Sequence, residues 1–225
     1  MKTARPAIWS ILFSGLAAAF WLSGVAAGQR GTPTLDDQLF IAVEKADTAA
    51  VTQLLAKGAH ANARDPAGIT PLIAACSMGN LETMTLLLDK GADATLSDKQ
   101  GDTALHYAAM TGNIAAAKLL LANHAPVEVK DQNGLTPLLY SVVTGRVELV
   151  NLLLADGADV EARDPQGFTA LMAASGAGFA DIVQALLDKG ARVNDASDDG
   201  TTALRRAVDQ KRADVERLLR AHGAE

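Results

Sequence analysis

The sequence predicts an all-α repeat solenoid, and three ladders of residues carry that reading. Leu39, Leu72, Leu105, Leu138, Leu171 and Leu204 recur every 33 residues without a slip. Gly58, Gly91, Gly157, Gly190 and Gly223 run in phase with them, with His124 on the missing rung. Asp65, Asp98, Asp131 and Asp164 form a third ladder of the same period. A fixed period in this range marks a stack of supersecondary units, each burying its apolar face against its neighbours. Such a chain poses the question of what it holds before the question of what it converts.

Within one period the elements follow in order. Asp65-Pro66-Ala67-Gly68 and Asp164-Pro165-Gln166-Gly167 suit a tight turn, because Pro presets φ and Gly accepts positive φ. Thr70, Thr103, Thr136, Thr169 and Thr202 are each placed to cap the N-terminus of a first helix. Pro71 and Pro137 stand at its first position, where a missing N–H costs nothing. Small residues such as Ala74-Ala75 and Ala108-Ala109 let two helices approach closely. Leu86-Leu87-Leu88 and Leu152-Leu153-Leu154 give the second helix an apolar face wide enough to meet both neighbours. The following glycine, as at Gly91, is a left-handed C-terminal cap.

The clearest copy runs Asp98-Lys99-Gln100-Gly101-Asp102-Thr103-Ala104-Leu105-His106-Tyr107-Ala108-Ala109, then Thr111-Gly112-Asn113 and Leu119-Leu120-Leu121. This resembles the ankyrin repeat, whose pattern is D-x-x-G-x-T-P-L-H-x-A-A-x-x-G-N followed by L-L-L-x-x-G-A. The resemblance spans about residues 35–225 and implies a stack of about six ankyrin repeats, each a helix-turn-helix plus a hairpin loop. The units fall at about 35–64, 65–97, 98–130, 131–163, 164–196 and 197–225, after a linker at 28–34.

Three departures stand out. The first unit, Leu39-Phe40-Ile41-Ala42-Val43, has no Asp-x-x-Gly turn before it. The last carries Arg205-Arg206 where internal copies have His or apolar residues. Polar, atypical end units are expected because they face water. The third departure is Asn123-His124, where a non-glycine cap costs about 1 kcal/mol and Pro126 follows. Local irregularity is therefore expected between the third and fourth units.

The N-terminus is a different kind of segment. Lys2 and Arg5 precede an uncharged stretch from Pro6 to Gln29 that ends in Gly24-Val25-Ala26-Ala27-Gly28. A basic start, an apolar run and small residues at its end describe a signal peptide over residues 1–27, cleaved after Ala27. The alternative is an uncleaved inner-membrane anchor, since the stretch is long enough to span a bilayer. Both readings place the repeats across the membrane, in the periplasm or beyond. No Cys follows the apolar run and no Arg-Arg pair precedes it, which points to the general secretion route rather than a lipoprotein.

Composition narrows the partners. The whole chain has a net charge of −6. Without residues 1–27 the basic count falls from 20 to 18 against 26 acids, a net of about −8. An acidic chain without a basic stripe is a poor nucleic-acid binder. The one cysteine, Cys76, cannot form an intramolecular disulfide and falls at a helix-packing position. A buried, inert thiol and a reactive or intermolecular one are the two readings.

Catalytic signatures are missing from the sequence. The histidines at 60, 106, 124 and 222 belong to no His-Glu-x-x-His motif, and there is no Gly-x-Ser-x-Gly elbow and no Walker loop. His106 matches the motif histidine of the ankyrin repeat, which the resemblance implies is structural, bonding to nearby backbone. Ser175-Gly176-Ala177-Gly178 mimics half a dinucleotide fingerprint, but it falls between two helices and reads as an interhelical turn. Asp198-Asp199 lies where other units have a hairpin turn and reads as solvated. No cofactor and no metal is expected. The basic residues Arg205, Arg206, Lys211, Arg212, Arg217 and Arg220 interleave with Asp209, Asp214 and Glu216. They make either a solvated capping unit or a dock for an acidic partner or anionic lipid.

The resemblance implies that partners bind across the hairpin tips and the exposed side of the first helices. Those positions are Ile69, Asp102, Leu135 and Phe168 along the fingers. Along the inner helices they are Met78, Met110 and Val143. Apolar residues at exposed positions mark an interaction site. The competing reading is that adjacent fingers pack Leu135 and Phe168 against one another.

The leading expectation is a non-catalytic scaffold in the bacterial periplasm, a monomer that binds another envelope protein through its concave face. It contacts no membrane unless the N-terminal segment stays uncleaved. The alternative is an immunity protein or inhibitor that covers the active site of a periplasm-acting toxin. An enzyme is a third reading, without a nucleophile, metal cluster or phosphate loop to support it. A secreted host-directed effector rests on the export signal alone.

Overall fold

A computed structural model describes residues 32–225, so the signal or anchor segment lies outside the described residues. Twelve helices follow one another there as six antiparallel pairs. The first pair is α1 (Leu35–Glu44) and α2 (Thr48–Ala56), then α3 (Pro71–Ser77) and α4 (Leu81–Asp89). Next come α5 (Ala104–Thr111) with α6 (Ile114–Ala122), and α7 (Pro137–Val143) with α8 (Val147–Ala155). The last are α9 (Ala170–Ala177) with α10 (Ala180–Asp188), and α11 (Ala203–Asp209) with α12 (Ala213–Ala221). No helix among the described residues is long and apolar enough to cross a membrane.

Four of the five expected threonine caps form as the sequence requires, and Thr103 instead joins a capping box with His106, whose Nδ1 accepts the Thr103 N–H at 3.1 Å. Thr70, Thr136, Thr169 and Thr202 accept backbone N–H bonds from Ile73, Leu139, Met172 and Arg205 at 3.2–3.4 Å. The unit without a finger turn starts differently: Thr34 and Asp37 form a capping box that opens α1. Satisfying the first N–H groups in this way allows helices of only seven to ten residues to be stable parts of a stack.

First helices pack on first helices and second on second, so the core runs along the stack as one apolar seam. Every leucine of the 33-residue ladder is buried in it. The first helices lie in closer contact with one another along the stack than the second helices do.

Between pairs lie the finger turns. In each, the ladder aspartate folds its own turn: Asp65, Asp98, Asp131 and Asp164 accept the N–H four residues on, at 2.6, 2.9, 2.7 and 2.9 Å. Adjacent fingers are joined by backbone rungs, Lys99 N–H to Ala67 O, Gln132 N–H to Gln100 O and Asp198 N–H to Gln166 O. The rung expected between the fingers of the fourth and fifth units is missing because Pro165 has no N–H to donate. Its ring instead fills the space beside Gly134, where a Cβ would come within 2.7 Å.

The irregularity expected at Asn123-His124 is absent. His124 takes φ 60°. Its N–H still bonds to Leu121 O, and Ala125 N–H to Leu120 O, as Gly91 and Ala92 do with Leu88 and Leu87. The left-handed backbone is kept by its hydrogen bonds, at the cost of strain in a residue with a Cβ.

Candidate functional site

The inner face is built from the finger turns and the first helices. Met78, at the C-cap of α3, is 46% exposed. Ile69, Met110 and Val143 are half-buried around the same side. Of the four, Met78 is exposed, whereas Ile69, Met110 and Val143 pack partly against the core.

The three other finger positions are closed. Asp102, Leu135 and Phe168 are buried, at 8%, 2% and 7% exposure. The physical reasons are visible. The backbone of Leu135 is tied on both sides, its N–H to Asp131 and its carbonyl to His106 Nε2 at 3.2 Å, which draws its side chain into the core. Phe168 is covered by Arg206, whose guanidinium carbon stands 5.0 Å from the ring centre. Phe168 is thus covered by the next unit's first helix, and Leu135 is held by His106 of the previous one.

That offset of 38 residues, Phe168 to Arg206, puts Tyr140 in the corresponding place relative to Asp102. Tyr107 and Tyr140 stand two residues after the ladder leucines, in the column of Ile41, Ala74, Ala173 and Arg206. Sequence reasoning passed over this column; its signal was an aromatic pair at a fixed step from the leucine ladder. Tyr107 donates its hydroxyl to Asp98 Oδ2 at 3.0 Å, and Tyr140 donates to Asp131 Oδ2 at 2.7 Å. Asp102 lies within electrostatic reach of both hydroxyls. Burial raises the pKa of both tyrosines, and the neighbouring carboxylates raise them further.

Asp102 is the unusual member. Its column otherwise holds Ile69, Leu135, Phe168 and Thr201. Its Oδ1 is buried and has no hydrogen-bond partner. Burial first, then the charges of Asp98 and Asp131, push its pKa up to about 7. The Asp164 turn lacks the tyrosine, since Ala173 takes that place, and Asp164 Oδ2 is likewise buried without a partner. There the cation Arg206 attracts the carboxylate instead.

The remaining titratable groups have structural work. His106 is fully buried; Thr103 N–H donates to its Nδ1 at 3.1 Å, so Nε2–H faces Leu135 O. Burial lowers its pKa against the pull of nearby carbonyls and carboxylates. Cys76 is buried, donates to Ala104 O at 3.1 Å and has its pKa pushed up to about 12 by burial, which makes it inert. The basic last unit is largely paired within itself, Arg205 with Asp209, Arg217 with Asp214 and Arg220 with Glu216. Arg212 donates to Gly176 O at 3.2 Å. Among the described residues no cluster of three or more His, Cys, Asp or Glu is placed to hold a metal ion.

Comparison with known proteins agrees with this geometry. The family described as "Ankyrin repeats (3 copies)" matches over residues 39–131, 90–164 and 157–225. The crystal structure of an ankyrin repeat domain from Acinetobacter baumannii AYE superposes with a TM-score of 0.78 at 30% identity, covering 83% of this chain and 98% of that one. Among curated proteins none matches. The chain belongs to the ankyrin-repeat family, a non-catalytic family whose repeats bind proteins.

Proposed function

We propose that the chain is a scaffold that holds another protein on the inner face of its stack, and that this partner is a protein of the bacterial periplasm. The carrying observation is the apolar surface left on the first helices. Met78 is 46% exposed, and Met110, Val143 and Ile69 are half-buried, on a side whose other finger positions are closed. Methionines adapt their shape to an incoming surface, and contiguous apolar exposure marks a binding site. A preformed frame lowers the ordering cost of association. The basic start and apolar run at residues 1–27 support export.

The test is capture of periplasmic protein by the full chain and by a Met78→Asp, Met110→Asp variant. A partner held by the first and lost by the second supports the reading, provided the circular dichroism of the two agrees. Equal capture by both rejects the inner face as the site.

A further inference from the structure

The segments that lead from each second helix to the next finger are laced to one another along the stack. Asn62 accepts the Asp93 N–H at 2.8 Å, Glu128 the Asp159 N–H at 2.8 Å, Glu161 the Arg192 N–H at 2.7 Å and Asn194 the Glu225 N–H at 3.1 Å. Each tie joins one unit to the next. A second set does the same: Arg64 donates to Ser97 O at 2.6 Å, Lys130 to Arg163 O at 3.1 Å and Arg163 to Ala196 O at 3.0 Å. Among the described residues one joint has neither kind of tie, the joint between the second and third units. We infer that this joint is a hinge, at which the C-terminal ends of α4 and α6 part while the first helices and fingers stay together.

Both halves of the tie are gone at this joint. Pro126 stands where Asp93, Asp159, Arg192 and Glu225 offer an N–H, and it has none. Thr95 stands where Asn62, Glu128, Glu161 and Asn194 accept, and its hydroxyl turns back to Asp93 Oδ1 at 2.7 Å. Ser97 stands where Arg64, Lys130 and Arg163 reach across with a cation, and its short side chain has none to send. His124 opens the same segment of the third unit, with φ 60° straining a residue that carries a Cβ.

What holds the joint lies along its other edge. Lys99 N–H donates to Ala67 O at 2.9 Å between the fingers, and Cys76 Sγ donates to Ala104 O at 3.1 Å between the first helices. A joint tied along one edge and free along the other turns about the tied edge. In a stack whose stability sums over neighbouring units, fewer bonds at one joint lower the cost of local opening there. Met78 belongs to the second unit and Met110 to the third, so opening changes the gap between them. That consequence rests on the inner-face reading, whereas the hinge does not.

The experiment places nitroxide labels on cysteines substituted at Asp89 and Ala122, the last residues of α4 and α6, in the full chain. The reference pair is Ala122 and Ala155, at the ends of α6 and α8. Cys76 is buried, with its pKa pushed up to about 12, and stays unlabelled. A wider spread of spin–spin distances is expected for Asp89 with Ala122 than for Ala122 with Ala155. Thr95→Asn, Ser97→Arg and Pro126→Asp together copy the ties of the first joint and are expected to narrow the first pair to the width of the second. Glu128→Thr with Lys130→Ser removes the ties of the next joint and is expected to broaden the second pair. Equal widths in the native chain would overturn the hinge. So would a first pair that stays broad after the ties are restored at unchanged circular dichroism, or a second pair unmoved by Glu128→Thr with Lys130→Ser. If the labels part as expected while the Met78→Asp, Met110→Asp variant captures as the native chain does, the inner-face reading falls and the hinge stands.

Discussion

Arg206 lies over the ring of Phe168, its guanidinium carbon 5.0 Å from the centre, and so links the first helix of the last unit to the finger of the unit before. The contact needs Gly176, because any side chain there meets the guanidinium. Arg206 Nε is buried without a hydrogen-bond partner, so the ring and the attraction of Asp164 and Asp199 hold the cation in place. The basic residue that marks the last unit as atypical is therefore part of the packing, and its charge is used inside the stack.

Replacing Arg206 with Ala removes this cover. Loss of a partly desolvated cation–π contact costs about 0.5–2 kcal/mol, and Phe168 becomes accessible. Urea unfolding of the full chain measures the first, and binding of an apolar fluorescent dye the second. Gly176→Val is expected to act in the same direction by pushing the guanidinium away.

Asp102 gives a pH-dependent stability. Its folded pKa of about 7 lies above its ordinary value of 3.8, so the protonated form is favoured in the folded state. The stabilisation is full below pH of about 4 and is lost as pH rises through about 7. The shift corresponds to about 4 kcal/mol at most. Asp102→Leu removes the titrating group and is expected to gain stability over the native chain as pH rises from 4 to 8. His106 has the opposite slope, because burial lowers its pKa and stability falls as it becomes protonated in acid. The difference between native chain and variant, from denaturant curves at several pH values, isolates Asp102.

How far the fold was legible depends on what each position needs. Leu138 and Thr136 could be read directly, since a period of apolar residues and a capping hydroxyl act locally and repeat in phase. The closing of Leu135 and Phe168 could not be read from their own unit. It depends on the next first helix, where Arg206 covers Phe168, and on His106 of the previous one, which ties Leu135. Tyr107 and Tyr140 lie outside the expected surface because their column is not among the positions that the ankyrin resemblance assigns to binding. The capping box of Thr34 and Asp37 was missed because the finger turn that precedes every other first helix is absent there.

His124 is expected to be improvable. It holds φ 60° where the equivalent residues are glycines at 85–100°. His124→Gly relieves the left-handed strain and is expected to stabilise the chain by up to about 1 kcal/mol, net of the added freedom of the unfolded state. A rise in the urea midpoint at unchanged slope would show this. A fall would mean that the His124 side chain contributes more than its backbone costs.

Leu138 is fully buried between neighbouring first helices. Leu138→Ala is expected to cost about 2–5 kcal/mol, because relaxation of the stack fills the cavity only in part. The same replacement at Leu35, 37% exposed, is expected to cost well under half of that.

The most direct test of inner-face binding places a photo-activated cross-linking residue at Met78 or Met110, and as a control at Thr85 or Gln184 on the second helices, in the full chain inside its native cell. A discrete cross-linked protein from the Met78 and Met110 positions, and none from Thr85 or Gln184, is the predicted result. Cross-links from the second helices alone, or equally from both faces, would contradict it.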